Sequence, residues 1–84
     1  MEHSKICKEV HMLLEQICKH GETKHVSFEE DITVFLDSLM FVLLIVEIEN
    51  KFGIEINDDD FDLSKMTSIN DISSLIGTYL HEIK

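Results

Sequence analysis

Ser38 stands between Asp37 and Leu39 in the stretch VFLDSLMFVLLIVEIENKF, at what reads as the first turn of a helix. Main-chain amides at a helix start lack intrahelical acceptors, and the helix dipole is positive there. A phosphate esterified to Ser38 would therefore be electrostatically favoured. The same position also suits an ordinary capping-turn serine that does no chemistry, and position alone leaves both readings open.

Other reactive side chains form weaker patterns. His3, Cys7 and His11 follow one another at four-residue intervals, a spacing that aligns two imidazoles and a thiol on one helix face. Three ligands without a closing fourth are poor grounds for structural zinc. Asp58, Asp60 and Asp62 alternate as in a calcium loop, but Leu63 occupies the position of the required glycine and Ile69 that of the bidentate glutamate. A solvated acidic helix start accounts for them better. His20, His25 and His81 fit no nucleophile-base pattern, and no Gly-rich elbow surrounds Ser38, so a serine hydrolase is not expected.

These residues must be positioned by helices. Ile6, Val10, Leu13, Leu14 and Ile17 recur at helical spacing and predict a first helix from about Ser4 to Lys19, stopped near Gly21. A long connection to Asp37 follows, with Val26, Phe28, Ile32, Val34 and Leu36 available to pack it down. Asp37 is the expected N-cap of a second helix that opens on Ser38 and closes at Phe52, where Gly53 can turn left-handed. A short helical turn is expected after Asn57. Ser68 and Asp71 resemble a capping box for a last helix that carries Ile69, Ile72, Leu75, Ile76, Leu80 and Ile83.

The second helix is apolar on too many sides for a surface helix of a small bundle. A stripe through Leu39, Val42, Ile45, Ile48 and Phe52, with Leu44, is the expected core face. Met40, Phe41, Leu43 and Val46 then fall outside it, beside Glu47, and predict a partly exposed patch of the kind that marks an interaction site. Each such side chain left exposed forgoes up to about 1.5–3 kcal/mol of burial that a partner could supply.

The totals bound the function. At 84 residues the chain should be a single domain, 1–84, with no room for a deep enclosed active site. A hydrophobic content of 44% against 29% charged is enough to fold, and the absence of proline with only 3 glycines favours helices. Seventeen acids against seven bases give a net charge of −10, which excludes nucleic acid and favours basic protein partners. The run Leu39 to Val46 is too short to span a bilayer, for which roughly 20 residues are needed. No signal peptide is visible, so a cytoplasmic location is expected. Cys7 and Cys18, about 16 Å apart if they share one helix, are expected to be reduced thiols.

From Leu36 through LDSLMFVLLIVEIENKFGIEI and on through NDDDFDLSKMTSINDISSLI, the chain resembles the acyl and peptidyl carrier proteins. The shared features are Asp37-Ser38-Leu39 at the start of the second helix, Phe52 closing it, the GIEI segment, an acidic short helix and a capped last helix. The resemblance implies an all-α four-helix bundle with a short third helix and a long loop between the first two. It also implies that a phosphopantetheinyl transferase, using coenzyme A, attaches 4′-phosphopantetheine to Ser38. The chain would then be a non-catalytic, monomeric carrier of acyl or aminoacyl thioesters, with no membrane partner. An acyl- or aminoacyl-loading enzyme and downstream synthase or tailoring enzymes would be its partners.

Asp37 and Leu39 would meet the transferase. Met40, Leu43, Val46 and Glu47 would face partners, joined by Ile56 and Phe61. Two departures shape the expectation: Phe35 stands where many members have glycine, and Met40 and Leu43 stand where fatty-acid-synthesis carriers present acids. The first stiffens the approach to Ser38; the second makes docking more hydrophobic and points toward a specialised polyketide, nonribosomal peptide or related secondary-metabolite pathway. The alternatives are a fatty-acid-synthesis carrier and a helical adaptor that binds a partner through the second helix without carrying an arm.

Overall fold

The computed structural model describes residues 2–18, 23–60 and 64–82. Among these the chain forms three α-helices, α1 (His3–Ile17), α2 (Ser38–Phe52) and α3 (Ile69–Glu82), two 3-10 turns at Thr33–Phe35 and Asp58–Asp60, and no strand. The expected short third helix is present among the described residues only as the Asp58–Asp60 turn. Three consecutive aspartates repel one another and form helix poorly, which favours a single tight turn. Phe61 and the rest of 61–63 lie outside the described residues.

Helix α1 is the shared partner, packed against both α3 and α2. It buries Ile6, Cys7, Val10, Leu13 and Leu14, the predicted stripe with Cys7 added. It starts one residue before the expected Ser4 and ends at Ile17, where the Cys18 amide still donates to the Leu14 carbonyl at 2.9 Å. The predicted stop at Gly21 lies outside the described residues. Helix α3 buries Ile69, Ile72 and Ile76, with Leu75 and Leu80 packed against the core from the side; Ile83 is outside the described residues. The capping box is half made. Ser68 Oγ accepts from the Asp71 amide at 3.1 Å, while the Asp71 carboxylate accepts from the Thr67 hydroxyl. Aspartate is one methylene shorter than the glutamate of the usual box and finds this nearer donor instead.

The connection between α1 and α2 is pinned to the start of α3. The Ile32 amide donates to the Thr67 carbonyl at 2.7 Å, and the Asn70 amide, one of the orphan donors in the first turn of α3, donates to the Phe28 carbonyl at 2.8 Å. His11 Nε2 meets the Thr23 carbonyl at 2.7 Å and ties the near end of the loop to α1. Val26, Ile32 and Leu36 are buried and Phe28 packs against them, as their apolar character predicts. Val34 is the exception. It is exposed, and Phe35 packs inward in its place, because successive residues of a 3-10 turn face about 120° apart.

The core face of α2 differs from the expected stripe. Phe41 is 6% exposed and joins Leu44, Ile45 and Ile48 in the core, whereas Leu39 is 69% and Val42 55% exposed. Phe52 and Met40 are partly buried beside them. Positions 41, 44, 45, 48 and 52 follow the spacing of a straight helix against α1, and a strict three-residue step from Leu39 drifts off that face. An ion pair between exposed Lys51 Nζ and half-buried Glu9 Oε2, at 3.1 Å, links α2 to α1. Cys7 and Cys18 are both buried.

The two sides of α2 should separate cleanly on substitution. Phe41→Ala should lower unfolding free energy by about 3–5 kcal/mol, the range for losing a core aromatic, and Val42→Ala should change it by less than about 1 kcal/mol. Urea titrations followed by circular dichroism compare the two.

Candidate functional site

The start of α2 is built by the residues that lead into it. The hydroxyl and then the amide of Thr33 donate to the Asp31 carboxylate and hold it below the usual carboxylate range. This fixes the 3-10 turn, whose end is anchored by buried Leu36. Asp37 follows in an extended conformation and caps the helix: its Oδ1 accepts from the Met40 amide at 2.8 Å and its carbonyl from the Phe41 amide at 2.9 Å. The amides of Ser38 and Leu39 have no acceptor within the helix, by the geometry of any first turn. Ser38 is exposed above them. A phosphate on its oxygen would thus meet the positive end of the dipole and outward-facing N–H groups.

A groove of about 780 Å³ opens at Ser38 and runs the length of α2. It is lined on the helix by Phe41, Val42, Ile45, Val46, Glu49 and Asn50, and by Ile54, Glu55 and Ile56 of the segment that follows. Gly53 makes this possible. Its φ of 66° is the left-handed cap that reverses the chain, and a side chain there would be strained. The returning strand of backbone is then stapled down. The Ile54 amide donates to the Glu49 carbonyl at 3.2 Å and the Ile56 amide to Glu49 Oε2 at 2.8 Å. Tyr79 of α3 holds the segment that follows: its hydroxyl accepts from the Asn57 amide at 3.0 Å and donates to the Asp60 carboxylate.

The predicted site residues divide by position. Asp37, Ser38, Leu39, Leu43, Val46 and Glu47 are exposed along one side of α2, and Met40 is partly buried. Leu43 and Glu47 also border a smaller depression with Gln16 and Ile17 of α1. Ile56 is buried and contributes to the groove wall from within, without projecting to the surface. Phe61 lies outside the described residues. Val42, which the expected stripe placed in the core, instead lies exposed between Leu39 and Val46 and makes the apolar patch continuous. Glu49, Asn50, Ile54 and Glu55 were not singled out by sequence. The left-handed glycine after Phe52 was the available signal, since it forces residues 54–56 back along the helix.

The other reactive groups do not converge. His3 Nε2 lies 3.4 Å from Cys7 Sγ, in line with the four-residue spacing, but also bonds Asn70 Oδ1. His11 turns instead to the Thr23 carbonyl and sits 3.4 Å from Glu15. Among the described residues no cluster could hold a metal ion, and no helix is long and apolar enough to cross a membrane.

A family model for the phosphopantetheine attachment site matches residues 9–76. Nothing among curated proteins matches the chain. The matched span contains α2 and its N-cap entirely. Because Asp37 both caps α2 and orders the turn that presents Ser38, Asp37→Ala should lower stability by about 1 kcal/mol, the usual loss for an N-cap. Thermal unfolding monitored at 222 nm measures it; no change in midpoint would show that the capping contact contributes nothing.

Proposed function

The chain belongs to the phosphopantetheine-attachment family, and on that premise we propose that Ser38 bears the 4′-phosphopantetheine arm and that the protein ferries acyl or aminoacyl thioesters between biosynthetic enzymes. The family binds 4′-phosphopantetheine and serves as a carrier. The observation that carries the assignment to Ser38 is the placement of its exposed hydroxyl on the capped first turn of α2, at the mouth of the groove. In loading, the Ser38 oxygen forms a bond to the phosphorus of coenzyme A nearest the pantetheine, the pyrophosphate linkage breaks, and adenosine 3′,5′-bisphosphate departs. The hydroxyl proton passes to a base on the transferase.

When attached, the arm would supply a thiol, far more acidic than an alcohol and so a good nucleophile and a good leaving group for thioester exchange. The protein's own part is to tether that thiol and raise its effective concentration for each enzyme that docks. Leu39, Val42, Leu43 and Val46 form a continuous exposed apolar patch next to Ser38, with Asp37 and Glu47 at its edge. Such a patch suits the transferase, loading enzymes and downstream synthase or tailoring enzymes, each touching the carrier briefly. Its apolar character, with Met40 and Leu43 in place of acids, supports a specialised pathway over fatty-acid synthesis. Catalysis belongs to the partners, and the carrier works as a cytoplasmic monomer.

A helical adaptor using the same patch would function without any modification. Ser38→Ala distinguishes the two: incubation with coenzyme A and a broad-specificity transferase should add the arm's mass to the wild-type chain and nothing to the variant, with both equally folded. An unmodified wild-type chain, or an adduct mapped to another residue, would sink the carrier reading. Leu43→Glu should weaken binding to the transferase or loading enzyme about tenfold, equivalent to about 1.4 kcal/mol. Its melting temperature should stay within a few degrees of wild type, as expected of an exposed position.

A further inference from the structure

We infer that His11 is a positioning residue for the loading of Ser38: by gripping the α1–α2 connection it holds the start of α2 in the placement a transferase can use, without touching the serine. This rests on Ser38 as the attachment point. His11 Nε2 lies 2.7 Å from the Thr23 carbonyl and 3.4 Å from Glu15 Oε1. A carbonyl can only accept, so this nitrogen carries the proton and donates it. Thr23 is fully buried, and without His11 its carbonyl would keep only the Val26 amide, at 3.3 Å. A buried carbonyl deprived of its better partner is costly, which drives the turn at 23–26 to open toward water. The same imidazole packs edgewise against the ring of Phe28, with centroids 6.3 Å apart.

Phe28 is also where the connection meets α3, since its carbonyl accepts from the Asn70 amide; Ile32 repeats the tie at Thr67. Both of these bonds bind the connection to the start of α3, whereas α2 packs on α1. The placement of Ser38 therefore needs the connection fixed to α1 as well, and His11 supplies that hold at two points, Thr23 and Phe28. Two other α1-side groups reach the same region with less effect. His3 Nε2 meets Asn70 Oδ1, but His3 is exposed and water competes for the bond. Cys18 Sγ reaches the Phe35 carbonyl only at 4.0 Å, from a weak donor. His11, with 20% of its side chain exposed, makes the shorter and better shielded bond. Released at Thr23, the connection would let the first turn of α2 sample several placements. A transferase that accepts one of them then sees its apparent affinity fall by the populated fraction, with the bound step unchanged.

The test uses the full chain, coenzyme A and a broad-specificity transferase. Mass spectrometry first establishes loading of the wild type; failure at that step overturns the carrier reading itself and this inference with it. Given loading, initial rates across carrier concentrations should show that His11→Ala raises KM for the carrier about fivefold and leaves kcat within about twofold. His11→Gln sets an amide nitrogen where Nε2 stood and should recover most of the wild-type KM. His11→Phe, which keeps a ring against Phe28 but has no donor, should resemble His11→Ala. Hydrogen exchange supplies the second readout: in His11→Ala the Leu36 and Phe41 amides, bonded to the Thr33 and Asp37 carbonyls, should exchange about tenfold faster, while those of Leu44 and Ile72 keep their protection. A uniform rise at all four would mark a global loss of stability and overturn the positioning role, as would an unchanged KM. Should His11→Ala not fold, the Gln and Phe variants decide by the same measurements, and equal KM values for the two would overturn the inference while leaving Ser38 loading untouched.

Discussion

Two main-chain hydrogen bonds, Ile32 to Thr67 and Asn70 to Phe28, determine where the second helix can begin. They join the long α1–α2 connection to the start of α3 and at the same time satisfy an amide that the α3 first turn would otherwise leave unpaired. A connection of this length, left loose, would carry a large ordering entropy and would let α2 slide on α1. Pinned, it delivers Leu36 into the core, Asp37 into the capping position and Ser38 onto the surface. The placement of Ser38 thus depends on contacts about ten residues upstream and about thirty downstream that never touch it.

The second constraint is that, among the described residues, α2 packs chiefly against one helix. Helix α1 covers the side bearing Phe41, Leu44, Ile45 and Ile48, and the opposite side remains open. An isolated domain gains nothing in stability from exposed Leu39, Val42, Leu43 and Val46. A domain that must engage several enzymes in turn gains a surface on which each can bury area without rearranging the fold. Gly53 then gives the open side depth by folding Ile54–Ile56 back beside the helix, so that one face of α2 offers a flat patch and the adjoining face a groove.

Much of this was legible because it was encoded locally. The Asp37 cap, the Ser38 start, the Gly53 stop and the isoleucine face of α3 are each set by residues within a turn of the feature they produce. The core side of α2 was not legible, since eight successive residues from Leu39 to Val46 are apolar and periodicity carries no information where nothing alternates. Only the position of α1 decides that Phe41 turns inward and Val42 outward. The pinning of the loop was hidden for a different reason: it is made by backbone groups of Phe28, Ile32, Thr67 and Asn70, whose side chains give no sign of it. The groove was hidden because one side of it comes from a chain reversal, and the acids that line it look from sequence like any solvated charge.

The burial of Cys7 and Cys18 has a bearing on fidelity. A carrier exists to display one sulfur that passes activated cargo from hand to hand, and any second accessible sulfur on the same molecule would compete for that cargo by intramolecular exchange. With Cys7 on the inward face of α1 and Cys18 buried just past its end, neither sulfur lies at the surface where such exchange would take place.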